Sequence, residues 1–166
     1  MMAIALPFVL IASGCTGTKV GLVNPNRLFQ ESASGKAGIE HLKEMENTLQ
    51  EQLTTAQKLI EKKPGDEKLR MQVQQEFASY QQLATSEQRK VVESINTQVK
   101  STLETIRIQK KLDAIFTSEN ALSFDEKIDV TNDVLTEMDR KPLSFQPVKI
   151  TPIEQALSDT GKPASK

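Results

Sequence analysis

Few residues in this 166-residue chain have the type and spacing to do covalent or metal chemistry. One cysteine, Cys15, and one histidine, His41, cannot make a disulfide framework or a zinc cluster within the chain. His41 has no second His or Cys at ligand spacing, so it reads as a surface or seam residue of a helix. The 22 acidic and 21 basic residues are interleaved, as in Glu40, Lys43 and Glu44 or Glu87 with Lys90. Charges in that pattern solvate helices and do not converge on a site. No glycine-rich phosphate loop, nucleophile elbow or H-E-x-x-H pattern occurs. The expectation is a protein that is not an enzyme and uses no cofactor and no metal. With a net charge of -1 there is no general basic field for phosphate backbones, so no nucleic-acid partner is expected either.

Cys15 carries the one chemical signal. Residues 3–13 are apolar up to their last step, a run shorter than the roughly 18 residues a bilayer span needs. The run suits the core of an export signal, and Ala12, Ser13 and Gly14 suit cleavage immediately before the cysteine. The order Ile-Ala-Ser-Gly-Cys is similar to a bacterial lipobox, in which the thiol is acylated and the preceding peptide removed. A signal peptide over 1–14 and a lipid-anchored linker over 15–18 follow. Acyl chains contributing about 0.8 kcal/mol per buried CH₂ would then hold the protein at a membrane. An ordinary secretory signal that leaves a cysteine first is the alternative, and export follows from both.

The elements behind these residues are mostly helical. Aromatics make up 4% and Trp is absent, while Gln, Glu, Lys, Ser and Thr fill the middle of the chain. That is the usage of long solvated helices and not of a wide core. Residues 19–24 read as a strand, with Val20 and Leu22 on one face and Gly21 and Val23 on the other, closed by Pro25. Asn24 or Asn26 can cap a following helix, and Ser34-Gly35 delays a continuous helix to about Ala37. From there Ile39, Leu42, Glu46, Leu49, Leu53, Ala56 and Ile60 recur at steps of three and four, a heptad seam broken by Glu46.

Pro64, Gly65 and Asp66 interrupt the helix and form a hairpin tip, with Asp66 capping the return helix. That helix runs from 67 to about 112, with Val73, Phe77 and Tyr80 on its seam; the two aromatics could alternatively contact a bound chain. Some 45 helical residues extend about 65 to 70 Å, far beyond the width of a small domain. Near the tip, Lys58, Lys62, Lys63, Lys68 and Arg70 outnumber Glu61, Asp66 and Glu67. A solvated surface and a contact for anionic lipid or an acidic client both fit them. Residues 114–117 and 121–124 read as two strands around a turn at 118–120, and Asp129 caps a last helix over 130–138. The proline-punctuated tail over 140–166 reads as disordered.

The fold class is therefore mainly α with a small β component. A long antiparallel helical hairpin, the arm over 31–111 with its tip at 63–66, projects from a small body made of 19–30 and 112–139. Val20, Leu22, Val23, Ile115, Phe116, Leu122, Phe124, Val134 and Leu135 are the apolar residues of that body. So small a unit, without disulfide or metal, rarely folds alone, and its strands would leave open edges. A homo-oligomer is expected.

Lys19-Val-Gly-Leu-Val-Asn24, then Leu28-Phe29-Gln30, a long charged hairpin, Leu112-Asp-Ala-Ile-Phe116 and Ile128-Asp-Val-Thr-Asn-Asp-Val-Leu135 together form a pattern. It resembles the Skp/OmpH family of periplasmic chaperones. The resemblance implies a trimer whose strands form a small central barrel, with three hairpins around a cavity that holds unfolded outer-membrane proteins without ATP. A coiled-coil lipoprotein that tethers or scaffolds an envelope complex is the alternative. Metabolic labelling with a fatty-acid probe tests the anchor: label is expected on the wild type and none on Cys15→Ser, and label persisting on the variant would remove the lipid.

Overall fold

Asn24 and Pro25 convert a strand into a helix within two residues. The computed structural model describes residues 17–159; the expected signal peptide and Cys15 lie outside the described residues. Strand β1 (Val20–Val23) leads into helix α1 (Pro25–Glu31), whose first turn is capped by the Asn24 side chain accepting from Arg27 N at 3.2 Å. Proline at the first helical position gives up an N–H that would have no partner there. Ser32 is extended and ends α1, and its hydroxyl accepts from Gly35 N at 3.0 Å to start α2 (Ala33–Lys62). The long helix thus begins before the expected Ala37. Glycine at 35 is required by proximity, since a Cβ there would sit 1.9 Å from the Phe29 carbonyl oxygen.

Asp66 caps α3 (Glu67–Gln109) by accepting from Leu69 N at 2.9 Å, and the helix is 43 residues long, about 64 Å. Lys111, at φ 53°, then turns the chain, with Leu112 N donating to Arg107 O at 2.9 Å. This left-handed exit has no glycine to announce it.

Strand β2 (Ala114–Thr117) pairs with β1 in parallel, Leu22 opposite Phe116. A parallel pair needs a long crossover, and here the entire hairpin is that crossover. The strand expected at 121–124 does not form. Residues 118–120 make a 3₁₀ turn, and the other edge of β1 is taken by Asp129, which bridges Leu22 while Val130 N donates to Leu22 O at 2.8 Å. Helix α4 (Thr131–Asp139) follows. Asp129 serves it by accepting from Thr131 N at 2.8 Å, although Val130 holds the capping position itself.

The tail is also corrected. Residues 141–152 lie along the hairpin and lead into helix α5 (Ile153–Asp159), whose Ile153 is fully buried. The prolines that suggested disorder keep this segment extended, and its apolar side chains supply the burial that fixes it.

Two apolar clusters result. Val23, Leu28, Ile106, Val130, Val134 and Met138 form the base, packed against Val99 and Leu103 of α3. Ala56, Val73, Tyr80 and Ile153 form the second, well out along the arm. The base core therefore borrows the root of α3, which the sequence assigned to the arm.

Between the clusters the seam lies one residue earlier than expected. Gly38, His41 and Met45 face inward, whereas Ile39 is 55% exposed and Glu46 is exposed. Gly38 lets the helices approach: a Cβ there would lie 2.8 Å from Val91 Cγ1 and 3.0 Å from Ile95 Cδ1. One turn on, His41 Nε2 and Glu87 Oε1 meet at 3.0 Å across the hairpin, and the His41 ring stacks on Phe145. An ionised carboxylate only accepts, so Nε2 carries the proton. Burial pushes the Glu87 carboxyl up, but hydrogen bonds from His41 and Lys90 outweigh it and hold the carboxyl below its ordinary 4.5.

The two glycines should respond differently. Gly35→Ala drives a methyl into a backbone carbonyl and should cost about 3 kcal/mol in urea unfolding, while Gly38→Ala presses on the side chains of Val91 and Ile95 and should cost less, about 1 to 2 kcal/mol. Glu87 gives a pH signature. Its depressed carboxyl stabilises the fold above the ordinary carboxylate range, and this is lost as pH falls below 4.5 and through the folded value. The wild type should therefore lose about 1 kcal/mol relative to Glu87→Gln between neutral pH and about pH 3, read as converging melting temperatures.

Candidate functional site

The described surface offers two places for other chains, one at the base and one along the arm. At the base, β2 pairs with β1 on one side, and its other edge has no strand partner among the described residues. Backbone N–H and C=O groups on such an edge pair readily with another chain. Large apolar side chains on and just after β2 are open to solvent: Phe116 is 57% exposed, Leu122 fully exposed and Phe124 39% exposed. A groove of about 530 Å³ is lined by Leu22 of β1, Ile115 and Phe116 of β2, and Ala121.

The apolar residues expected to serve the body thus divide in two. Leu22, Val23 and Val134 are buried inside the chain, with Val20, Ile115 and Leu135 half-buried beside them. Phe116, Leu122 and Phe124 point outward. A partner copy can use the second set without disturbing the first.

Along the arm, Val73 and Tyr80 are buried, and Leu42, Leu49, Leu53, Ile60 and Phe77 are half-buried. Phe77 and Tyr80 meet edge to face at 6.2 Å, an arrangement aromatic pairs favour. Leu49, Leu53, Phe77 and Ala84 also line an open groove of about 400 Å³. Ile39 belongs to none of these surfaces.

The tail forms a strap on the arm. Gln98 Nε2 donates to Met138 O at 3.2 Å and Lys141 O at 2.8 Å, and Leu143 N donates to Ser34 Oγ at 2.9 Å. Farther out, the Tyr80 hydroxyl donates to Thr151 O at 2.7 Å, and Ile153 N donates to Gln52 Oε1 at 2.8 Å. Burial, with the Glu76 carboxylate nearby, holds the Tyr80 hydroxyl above its ordinary pKa, so it stays a neutral donor. The geometry closes: the eighteen helical steps from Ser34 to Gln52 span about 27 Å, and the ten extended steps from Leu143 to Ile153 span about 31 Å. Phe145, Ile150 and Ile153 are the residues that sequence reasoning missed. Their signal was the recurrence of apolar residues at 143, 145, 148, 150 and 153 within a proline-punctuated stretch.

At the tip, Pro64 and Gly65 are exposed, and the Arg70 guanidinium donates to Pro64 O at 2.6 Å, stiffening the turn that Asp66 caps. Lys62, Lys63 and Lys68 surround a groove of about 490 Å³ floored by Leu59, Leu69 and Leu157. Among the described residues, no cluster of His, Cys, Asp or Glu could hold a metal, and no helix is long and apolar enough to cross a membrane.

A small base, an open strand edge and a strapped two-helix arm can be compared with known proteins. The model of the family described as outer membrane protein (OmpH-like) matches residues 19–138. A crystal structure from Caulobacter crescentus CB15, a candidate outer membrane chaperone (OmpH-like), superposes with a TM-score of 0.63 at 14% sequence identity. The match covers 90% of this chain and 97% of that one. No curated protein matches the chain in sequence. With the family pattern running from the first strand through α4 and the same fold in the Caulobacter structure, the chain belongs to the OmpH-like outer membrane protein family.

Proposed function

We propose that the protein is an ATP-independent periplasmic holdase that works as a homotrimer, keeps unfolded outer-membrane proteins in a cavity between its arms, and is anchored to a membrane through acylated Cys15. It performs no catalysis. One observation carries this reading: the arm's return helix, about 64 Å long, is rooted in a base with an unpaired strand edge and exposed Phe116, Leu122 and Phe124. An open edge and an apolar rim make self-association favourable. Copies joined at their bases would set their arms side by side, with a space between them. Holding in such a space needs many weak contacts, and a hairpin with one narrow seam can flex to clients of different size. A tethering lipoprotein could use a free tail as its attachment strand. That support falls away, because the tail lies against the arm as far as α5.

Dilution of a denatured outer-membrane β-barrel into buffer, followed by light scattering, tests the reading. The protein should suppress scattering near equimolar ratio without nucleotide. Phe116→Glu should shift sedimentation from trimer to monomer, keep its helical circular dichroism and lose most of the suppression. Unchanged scattering with the wild type would end the holdase reading, and a folded wild-type monomer at micromolar concentration would end the trimer.

A further inference from the structure

The strap's apolar side chains bury it on the arm, and polar groups of the arm hold its backbone. Ser34 Oγ and Gln52 Oε1 accept from the N–H groups of Leu143 and Ile153, and the Tyr80 hydroxyl donates to the carbonyl of Thr151. Two of those contacts take an N–H, which every residue but proline carries, and one takes a C=O, which every residue carries, so these polar contacts do not depend on the identity of the chain they hold. The side chains of the strap add apolar burial. Phe145 stacks on His41 close to Gly38, Ile153 is enclosed with Ala56, Val73 and Tyr80, and Ile150 packs on that cluster. Ser144, Gln146, Lys149 and Thr151, between these apolar residues, are exposed.

The extended segment 143–152 is anchored near both ends by main-chain bonds, from Leu143 N and Thr151 O, and is as long as a barrel strand. Transmembrane β-strands are about 9 to 11 residues long. We propose that the groove between α2 and α3 is a strand-binding site for unfolded outer-membrane barrel proteins, and that the strap is a built-in stand-in which a client strand displaces. This rests on the holdase reading and locates one of its contacts. Backbone capture accounts for tolerance of many client sequences, and the strap keeps an apolar groove covered while no client is present. A stand-in lowers the apparent affinity by the fraction of time it occupies the groove, so a client must compete for entry.

The probe is a fluorescent peptide of about 11 residues with the alternating sequence of a transmembrane barrel strand, added to the full chain. Saturating peptide should accelerate hydrogen exchange at the Leu143 and Ile153 amides, whose protecting partners are on the arm. Ile153→Asp places a charge in a fully buried position and should release the strap. With the competing occupant gone, that variant should bind the peptide roughly tenfold more tightly by fluorescence anisotropy.

Peptide that binds while both amides stay protected overturns the proposal. So does an Ile153→Asp chain that keeps its helical content and binds no tighter. If the variant loses its helix, the exchange measurement on the wild type decides alone. A wild type that suppresses barrel aggregation while its strap stays closed removes the strand groove and leaves the holdase. A strap that yields to the peptide in a chain unable to suppress aggregation sustains the groove and removes the holdase.

Discussion

Two helices laid side by side share one narrow seam, and the structure answers to how little such a seam can bury. A compact domain encloses its apolar residues on all sides, but a hairpin leaves most of each helix in water. Stability then has to come from whatever third element reaches the seam. At the root that element is α4, which with α1 closes a core over Ile106, Val134 and Met138. Farther out it is the strap, which brings Phe145 to His41 and Ile153 to Ala56, Val73 and Tyr80. Beneath Phe145 the seam also depends on close approach at Gly38 and a polar tie from His41 to Glu87. A two-helix arm of this length is held by three separate devices, each local.

That division explains what could be read from the sequence. Helix boundaries are local chemistry: Asn24, one of the two asparagines expected to cap, and Asp66 do cap, and Pro64-Gly65 turns, so these were legible from a few neighbouring residues, although Pro25 opens the helix where it was expected only to close the strand. The phase of the first helix was not. Apolarity pointed to Ile39 and Leu42, yet the seam uses a glycine for its lack of volume and a histidine for its hydrogen bond, and neither registers as apolar. Only the positions of Val91, Ile95 and Glu87, some fifty residues away, make those choices sensible.

The tail was misread for a related reason. Proline and Ser/Thr content marks a chain that builds no secondary structure of its own, and residues 141–152 indeed have none. Absence of secondary structure is not absence of order, however, when another element supplies both the groove and the hydrogen-bond partners. The apolar residues at 143, 145, 148, 150 and 153 fit neither a helix nor a regular strand, and they become interpretable once laid on the α2–α3 groove. The strand expected at 121–124 does not form although the outer edge of β2 is open among the described residues: residues 118–120 make a 3₁₀ turn where a hairpin turn was expected, and Leu122 and Phe124 are left facing outward.

These local devices also grade the stability of the molecule along its length. The base encloses Leu28, Val134 and Met138 almost completely and borrows the rigid root of α3, so it opens only with the whole fold. Outward, burial thins to Ala56, Val73, Tyr80 and Ile153, and then to an exposed tip turn held by Asp66 and Arg70. Local opening becomes easier with distance from the base. The proposed holdase needs this gradient: the end that copies would share must keep one geometry, and the part that would meet a client must be able to change.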